Sequence, residues 1–220
     1  MTNQEKFDAY AGLLKDWNSR VNLTAVTDDD EIRVKHFMDS LTILPYLEGS
    51  AGGGALRLVD VGTGAGFPGI PVAIERPEIE VTLVDSLEKR VRFLECVARE
   101  LDLKNVRCVH GRAEDLGRDP EYRETFDFAT ARAVASMPVL LEYCLPFLKD
   151  GGKFIAMKGA NAGEEEFSGA LKKLGGRLVK EDYFTLEGTD MKRCIFVVEK
   201  RGKMPAAYPR KAGLPAKKPL

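Results

Sequence analysis

The stretch LVDVGTGAGF at residues 58–67 decides the fold of this chain. It opens with a short apolar run typical of a buried strand. Pro68 and Pro71 follow in the first turns of a predicted helix, where a missing N–H costs least. Because a glycine-rich turn lets a backbone approach a ligand closely, the stretch predicts a strand, a ligand-binding loop and a helix.

Downstream of this stretch, apolar runs of strand length alternate with helix-period segments. This alternation predicts a doubly wound α/β fold whose mostly parallel sheet has helices on both faces. The last two strands have no helix between them, which predicts an antiparallel edge. We expect strands at 56–61, 81–84, 106–109, 126–131, 153–157, 177–186 and 194–200. One helix is expected with Pro68 and Pro71 in its early part, and others behind Ser86 as N-cap and at 136–148 and 161–174.

Upstream, the chain has the pattern of a small helical cap. Thr2 and Glu5 form a capping box, and apolar residues at helical spacing continue to about Trp17. A second helix is expected after the acidic run 28–30, ending near Pro45. The glycine-rich residues 49–54 then predict a flexible linker. The chain therefore divides into a helical cap (1–50), a main domain (55–200) and a basic tail (201–220).

Composition excludes several classes of protein. The 220 residues are 44% hydrophobic and carry 33 basic against 34 acidic side chains, which disfavours disordered, collagen-like and coiled-coil structures. No apolar run reaches the roughly 18–20 residues of a membrane span, and no signal-peptide pattern opens the chain, so we expect a cytoplasmic protein. None of the four cysteines forms a CxxC pair, so no metal site is expected.

Charge is distributed unevenly. Residues 200–220 hold seven basic side chains and no acidic one. A solvated terminus is the commoner explanation of such a tail, although it also fits a polyanionic partner.

The glycine loop favours a cationic, phosphate-free ligand. The dinucleotide fingerprint needs a glycine where Phe67 stands, whereas the third glycine here is Gly66. Asp60, two residues before Gly62, suits a ligand with positive charge, and S-adenosylmethionine carries a sulfonium and an ammonium. Asp85, 23 residues beyond Gly62, is placed to accept ribose hydrogen bonds, which supports an adenosine ligand of either kind.

The sequence as a whole resembles the rRNA small subunit methyltransferase G family. The resemblance runs in one order along nearly the whole chain, and its most specific parts are GFPGIP, HFMDSL and ATARAVA. The matching segments are 22–24, 36–41, 60–74, 83–86, 89–90, 93–94, 111–114, 129–135, 158–159, and 210–213 with Pro215.

The resemblance implies a Rossmann-like class I methyltransferase fold. It further implies S-adenosylmethionine-dependent methylation of N7 of a guanine in 16S rRNA, near the decoding site of the small ribosomal subunit. The partner would be 16S rRNA or the small subunit, with no membrane and no metal, and we expect a monomer.

Site residues follow from the resemblance and from the loop. The family's cofactor contacts correspond to Gly62, Phe67, Ala113, Glu114 and Arg132. The loop itself adds Asp60, Gly64, Asp85 and the adjacent Ser86.

Arg132 and Lys158 end the fourth and fifth strands on one sheet edge. We expect Arg132 to contact the cofactor or the target base and Lys158 to contact RNA. Asn22 and His36, in the cap, are expected to close over the pocket.

The implied chemistry needs no general base, because guanine N7 holds an in-plane lone pair. The segment Thr130–Ala133 also lacks the Asp/Asn-Pro-Pro-aromatic pattern of many amino-group methyltransferases. A small-molecule methyltransferase on the same fold is the main alternative; it predicts a deep, closed acceptor pocket without a basic rim. A non-enzymatic RNA-binding protein and an NAD dehydrogenase are the remaining alternatives.

Overall fold

The computed structural model describes residues 1–48, 54–159, 163 and 165–220. Within them, a single sheet is built from β1 (Leu56–Val61), β2 (Ile79–Asp85), β3 (Val106–His110), β4 (Phe126–Arg132), β5 (Leu148–Gly159), β6 (Gly176–Thr185) and β7 (Lys192–Lys200). Its strand order is β3-β2-β1-β4-β5-β7-β6. The first five strands are parallel, and β7 runs antiparallel to both its neighbours. The predicted seven-stranded, mostly parallel sheet is confirmed.

Helices of the described residues lie before, between and after these strands. They are α1 (Asn3–Val21), α2 (Asp29–Ile32), α3 (Asp39–Leu41), α4 (Gly69–Glu75), α5 (Glu88–Glu100), α6 (Ala113–Leu116), α7 (Met137–Cys144), α8 (Ser168–Leu174) and α9 (Leu214–Lys217). A π-helical turn, Arg33–Met38, joins α2 to α3, and 3₁₀ turns occupy Leu44–Tyr46 and Leu145–Phe147. None of the helices in the described ranges is long and apolar enough to cross a bilayer.

Helix α1 starts as the capping box predicts. The Thr2 side chain accepts from Glu5 N at 3.2 Å, and Thr2 N donates to the Glu5 carboxylate at 2.7 Å. The helix continues four residues beyond the expected end at Trp17, to Val21, and stops at Asn22, whose φ of 54° is left-handed. Asparagine tolerates that conformation, so Asn22 is a helix C-cap.

The second helical segment also begins as predicted, with the Asp28 carboxylate accepting from Asp30 N and Glu31 N. Its middle is π-helical, which the sequence pattern did not indicate. Single π turns inside α-helices are frequent at functional sites. This turn carries Lys35 and His36 toward the sheet edge.

Two hydrophobic clusters lie on opposite faces of the sheet, because successive strand residues point to opposite sides. Leu58 belongs to one cluster and Val59 to the other. The first cluster also contains Tyr10 and Leu14 of α1 and Phe93 of α5. The cap thus packs directly against the sheet domain. The division into a cap, a main domain and a tail stays a prediction, and residues 49–53 of the expected linker lie outside the described residues.

The prediction that Ser86 caps α5 was wrong. The N-cap position is Leu87, which makes no side-chain capping bond. Instead the Asp85 carboxylate accepts from Leu87 N at 2.9 Å. The residue whose side chain caps the start of α5 is therefore Asp85, at the end of β2, and not Ser86.

The basic tail, residues 201–220, is not the solvated terminus that such a composition usually indicates. Arg123 donates to the carbonyls of Tyr208, Met204 and Pro205, and Arg118 donates to the carbonyl of Ala207. Met204 and Tyr208 pack against the second cluster. Residues 201–220 therefore run over the body of the protein rather than into solvent.

Candidate active site at the carboxyl edge of the sheet

The site lies where β1 and β4 are neighbours. From β1 the chain proceeds to β2 and β3 on one side, whereas β4 and β5 continue on the other. In an open parallel sheet, such a reversal leaves a crevice outside the carboxyl ends of the strands, and ligands bind there. The glycine loop follows β1, and Arg132 is the last residue of β4.

Gly62, Gly64 and Gly66 all have positive φ, but they differ in their surroundings. A Cβ on Gly62 would lie 2.8 Å from Val134 Cγ2, and one on Gly66 would lie 2.6 Å from the Tyr10 hydroxyl. A Cβ on Gly64 would meet nothing within 4 Å. Packing therefore requires Gly62 and Gly66, while Gly64 faces open space on the side available to a ligand.

Helix α1 holds the loop from above. The Tyr10 hydroxyl is completely buried and donates a hydrogen bond to the Ala65 carbonyl. Its ring packs between Phe37 and Phe67, at 5.4 Å from each. The position of the loop thus depends on a residue 55 positions earlier in the chain.

Asp60 supports the loop from below. Its Oδ2 accepts from the Thr63 hydroxyl at 2.6 Å and from Gly69 N at 2.9 Å. Its Oδ1 is buried without a hydrogen-bond partner in the described part of the chain. Burial raises the pKa of Asp60 to about 6. A buried carboxylate oxygen with spare accepting capacity fits a cationic ligand such as a sulfonium-bearing cofactor.

Asp85, the predicted ribose acceptor, is bonded to the loop in this structure. Its Oδ2 accepts from Gly64 N and its Oδ1 from Leu87 N, both at 2.9 Å. Oδ2 also accepts from Arg90 Nη1 at 3.4 Å, so the accepting capacity left to the carboxylate lies on Oδ1. Ser86 is exposed, and its carbonyl oxygen lies 3.1 Å from His110 Nε2.

Phe67 is covered on one side by His36, with ring centroids 4.5 Å apart and planes inclined by 20°. The Arg132 guanidinium carbon lies 5.1 Å from the Phe67 centroid. Burial lowers the pKa of His36 to about 4, and the nearby Arg132 charge acts in the same direction. His36 is therefore neutral at pH 7, with its Nε2 2.9 Å from the Thr24 hydroxyl.

Arg132 is half-buried and bonded to the cap. Its Nη1 donates to Asp39 Oδ2 at 3.0 Å and to the Lys35 carbonyl at 3.3 Å. The other oxygen of Asp39 accepts from Arg193 Nε at 2.8 Å. One carboxylate of the cap therefore joins two arginines that come from different strands of the sheet.

Beside these arginines is a cleft of about 370 Å³. Lys158 lies in its wall, with Nζ 2.6 Å from Glu165 Oε1 and 3.0 Å from the Ala135 carbonyl. The other Glu165 oxygen accepts from Met137 N at the start of α7. The cleft is lined by Lys35, His36, Asp39, Arg132, Ala133, Ala135, Met157, Lys158, Gly159 and Arg193.

The structure thus brings Arg132, Lys158 and His36 together, but not Asn22. Asn22 is exposed at the end of α1 and does not line the cleft. From the same segment it is Thr24 that reaches the site, through its bond to His36. The expectation that the Asn22 side chain closes over the pocket finds no support in this position.

Ala113 and Glu114 lie at the start of α6, away from the cleft lining. Glu114 is buried, and its Oε1 accepts from Gly213 N of the tail at 2.8 Å. The tail therefore borders the region that the resemblance assigns to the cofactor.

Sequence reasoning missed Tyr10, Asp39, Glu165 and Arg193. Asp39 had a usable signal, because it lies three residues after His36 and so shares its helix face. Arg193 had none, since only the pairing of Gly159 with Arg193 between β5 and β7 brings it to the edge. Among the described residues, no cluster of His, Cys, Asp and Glu has the arrangement of a metal site.

Comparisons with known proteins agree with this geometry. A family model described as rRNA small subunit methyltransferase G (GidB) matches residues 3–180. The ribosomal RNA small subunit methyltransferase G of Acetivibrio thermocellus is 54% identical over 217 residues, covering 98% of this chain and 88% of the relative. That of Desulfitobacterium hafniense is 55% identical over 218 residues, covering 98% and 89%.

A solved structure shares the fold. It is a mutant 16S rRNA (adenine(1408)-N(1))-methyltransferase from Catenulisporales acidiphilia with its cosubstrate SAM. The TM-score is 0.54 at 15% identity, covering 70% of this chain and 89% of that one. At this identity the likeness concerns the fold alone, which is that of a class I methyltransferase.

Proposed function

This chain belongs to the rRNA small subunit methyltransferase G (GidB) family, and we propose that it methylates N7 of a guanine in 16S rRNA near the decoding site. Membership makes it an S-adenosylmethionine-dependent methyltransferase of small-subunit rRNA. The target atom, the location of the guanine and the roles of individual residues are the proposal.

The methyl donor supplies an electrophilic methyl group on a sulfonium. We assign its binding to the glycine loop, with Asp60 and Asp85 on either side of that loop. The spare buried oxygen of Asp60 and the open space above Gly64 support this assignment. Phe67, Ala113, Glu114 and Arg132, with Ser86 beside Asp85, complete the proposed cofactor set.

Guanine N7 attacks with an existing lone pair, so the acceptor atom has no proton to lose. The imidazole of His36, which lines the cleft, is neutral at pH 7, and its Nε2 is already bonded to the Thr24 hydroxyl. This arrangement agrees with a reaction that needs no general base. The protein's contribution is then to orient the base and exclude water. Such positioning is worth up to about 7–11 kcal/mol when reacting atoms are held near attack distance.

The observation that carries the proposal is the charge of the cleft beside the loop. Four cationic side chains line it, with Asp39 as the lining carboxylate. Two of the four, Lys158 and Lys35, also pair with Glu165 and Glu31 at the margin of the cleft, which leaves a net positive charge of one. A small-molecule methyltransferase predicts a closed pocket without a basic rim. A cationic cleft next to the cofactor loop favours a polyanionic acceptor, and RNA is the acceptor named for the relatives.

We propose separate roles for the residues around the cleft. Arg132 contacts the edge of the target base, because arginine pairs well with guanine acceptors. Lys158 contacts the RNA backbone. His36 closes the cap over Phe67, and Asn22 contributes by shaping the turn that places Thr24 against His36.

The test is methylation of small ribosomal subunits from cells that lack the gene. Purified full-length protein and S-adenosylmethionine with a labelled methyl group are added, and N7-methylguanine is mapped by borohydride and aniline cleavage of 16S rRNA. We expect one new cleavage near the decoding site. Label at another base or atom, or subunits already modified without the gene, contradicts the proposal.

A matched pair of variants ties the activity to the cleft. Arg132→Ala is expected to abolish the signal. Arg177→Ala removes an exposed arginine of β6 that pairs with Glu199, and it is expected to leave the signal unchanged. Equal activity of the two variants excludes Arg132 from the site.

A further inference from the structure

Asp39 occupies an unusual position for a carboxylate. It is 3% exposed, lies directly after the π-helical turn, and lines the cleft. Its two oxygens accept from two different guanidinium groups, those of Arg132 on β4 and Arg193 on β7. It is the one acidic residue among those lining this cleft.

Each arginine is held by part of its donor set. Arg132 uses Nη1 on Asp39 and on the carbonyls of the π turn, and its Nε and Nη2 have no hydrogen-bond partner among the described residues. Arg193 uses Nε on Asp39, Nη1 on the Lys192 carbonyl and one Nη2 donor on Met191 Sδ at 3.6 Å. A guanidinium has five N–H donors, so both groups keep donors for a ligand in the cleft.

Fixing these groups has a physical benefit for binding. A free arginine side chain loses rotamer freedom when it binds a ligand, and this loss weakens the binding. Two guanidinium groups in one half-buried place also repel each other. A carboxylate between them removes the repulsion and orders both side chains before the ligand arrives.

We propose that Asp39 is a positioning residue for the acceptor nucleotide: it fixes Arg132 and Arg193 so that their remaining N–H groups bind the phosphate and base edge of a guanine nucleotide. This inference rests on the proposed function and deepens it. It assigns the nucleotide to the cleft and gives a role to Arg193.

A role for Asp39 in charge neutralisation alone predicts a different result. If the carboxylate only neutralised charge, removing it would make the cleft more cationic, and an anionic nucleotide would bind more tightly. If it positions the arginines, removing it weakens binding despite the added positive charge. Asp39→Asn separates the two, because the amide keeps the shape but presents N–H groups to a guanidinium.

The first experiment is direct binding of guanosine 5′-monophosphate, measured by calorimetry on the full-length protein. We expect Asp39→Asn to weaken binding by about tenfold to a hundredfold, the range for one charged hydrogen bond. Asp29→Asn, which removes an exposed partner of Lys15 on the same helical segment, should match the unsubstituted protein. Unchanged or tighter binding by Asp39→Asn overturns the proposal, as does absence of binding to the unsubstituted protein.

The second experiment measures methylation of small ribosomal subunits. Asp39→Asn should raise KM for subunits by a similar factor, and its affinity for S-adenosylmethionine should fall by less, because Asp39 holds Arg193 as well as Arg132 and only Arg132 belongs to the proposed cofactor set. Partial recovery by Asp39→Glu supports positioning. A loss of cofactor affinity equal to the loss of activity overturns it, because it indicates a general disturbance of the fold.

Arg193→Gln provides a route that does not depend on the folding of an Asp39 variant. It should weaken nucleotide binding on its own, and adding Asp39→Asn should cost less than the product of the single effects. Full additivity overturns the coupling. If nucleotide binding behaves as expected but no N7-methylguanine forms in rRNA, the proposed function fails and the positioning role stands.

Discussion

Arg210 in the tail forms a bidentate salt bridge with Glu142 in α7: Nη2 lies 2.6 Å from Oε2, and Nε lies 2.9 Å from Oε1. The Glu142 carboxylate is completely buried, and it also accepts from the Arg210 backbone N–H. Three residues later, Gly213 N bonds to Glu114. Residues 210–213, the part of the tail that matches the family, therefore attach the tail to α7 and to the start of α6.

Breaking this anchor should destabilise the protein. Arg210→Met leaves a buried carboxylate unpaired, which costs about 3–5 kcal/mol of unfolding free energy. Urea unfolding followed by circular dichroism measures it. Arg201→Met, which removes a half-exposed partner of Glu199, should cost less than about 1 kcal/mol. Adding Glu142→Leu to Arg210→Met should recover most of the loss, and equal costs for the two arginines contradict the prediction.

Removing the Tyr10 hydroxyl should weaken cofactor binding. Tyr10→Phe keeps the ring but leaves the Ala65 carbonyl of the glycine loop without its donor. One hydrogen bond is worth about 1 kcal/mol, so the Kd for S-adenosylmethionine should rise by about three- to tenfold. Calorimetry measures it, and Tyr183→Phe, which alters an exposed tyrosine, is the matched control. No difference between the two variants shows that the loop holds its shape without the cap.

Alanine at two loop glycines should have separable effects. Gly62 and Gly64 both have left-handed φ values, so each substitution carries backbone strain of about 1–2 kcal/mol. Only Gly62→Ala adds a clash, with Val134, and it should lower the melting temperature more. Gly64→Ala adds a methyl group on the open side, and it should lower cofactor affinity beyond its effect on stability. Thermal melts and calorimetry on both proteins provide the comparison, and the reverse ranking is the contradictory result.

His36 should make stability depend on pH. Its folded pKa of about 4 is below the ordinary histidine value of about 6.5, so the unfolded chain takes up a proton that the folded chain refuses. The contribution of His36 to stability is present above about pH 6.5 and is lost as pH falls toward 4. The difference in unfolding free energy between the unsubstituted protein and His36→Gln should therefore shrink over this window. Denaturant unfolding at pH 7, 5.5 and 4.5 tests it, and a difference that grows on acidification refutes it.

Much of the fold could be predicted because its signals are local. The capping box at Thr2, the acidic start of the second helix and the glycine loop each depend on a few adjacent residues. Boundaries were less accurate where neighbouring residues offer competing local signals. Helix α5 starts at Glu88 under the control of Asp85, and α7 ends at Cys144, ahead of a 3₁₀ turn that contains Pro146.

The site was predictable only where its residues follow strand ends. Arg132 and Lys158 share an edge because parallel strands end together, and the cleft contains both. The bond between Asp39 and Arg193 joins residues 154 positions apart, and that between Arg210 and Glu142 joins residues 68 apart. Such pairs depend on strand order and on the path of the tail, which hydrophobic periodicity does not encode.

The place of β7 in the sheet determines when the sheet can be completed during synthesis of the chain. This last strand inserts between β5 and β6, and it carries Arg193. Domains fold largely as units while the ribosome extends them from the amino terminus. A nascent chain that stops before residue 192 has an open β5 edge and lacks Arg193, so the proposed RNA-binding cleft is complete only after β7 has been added to the sheet.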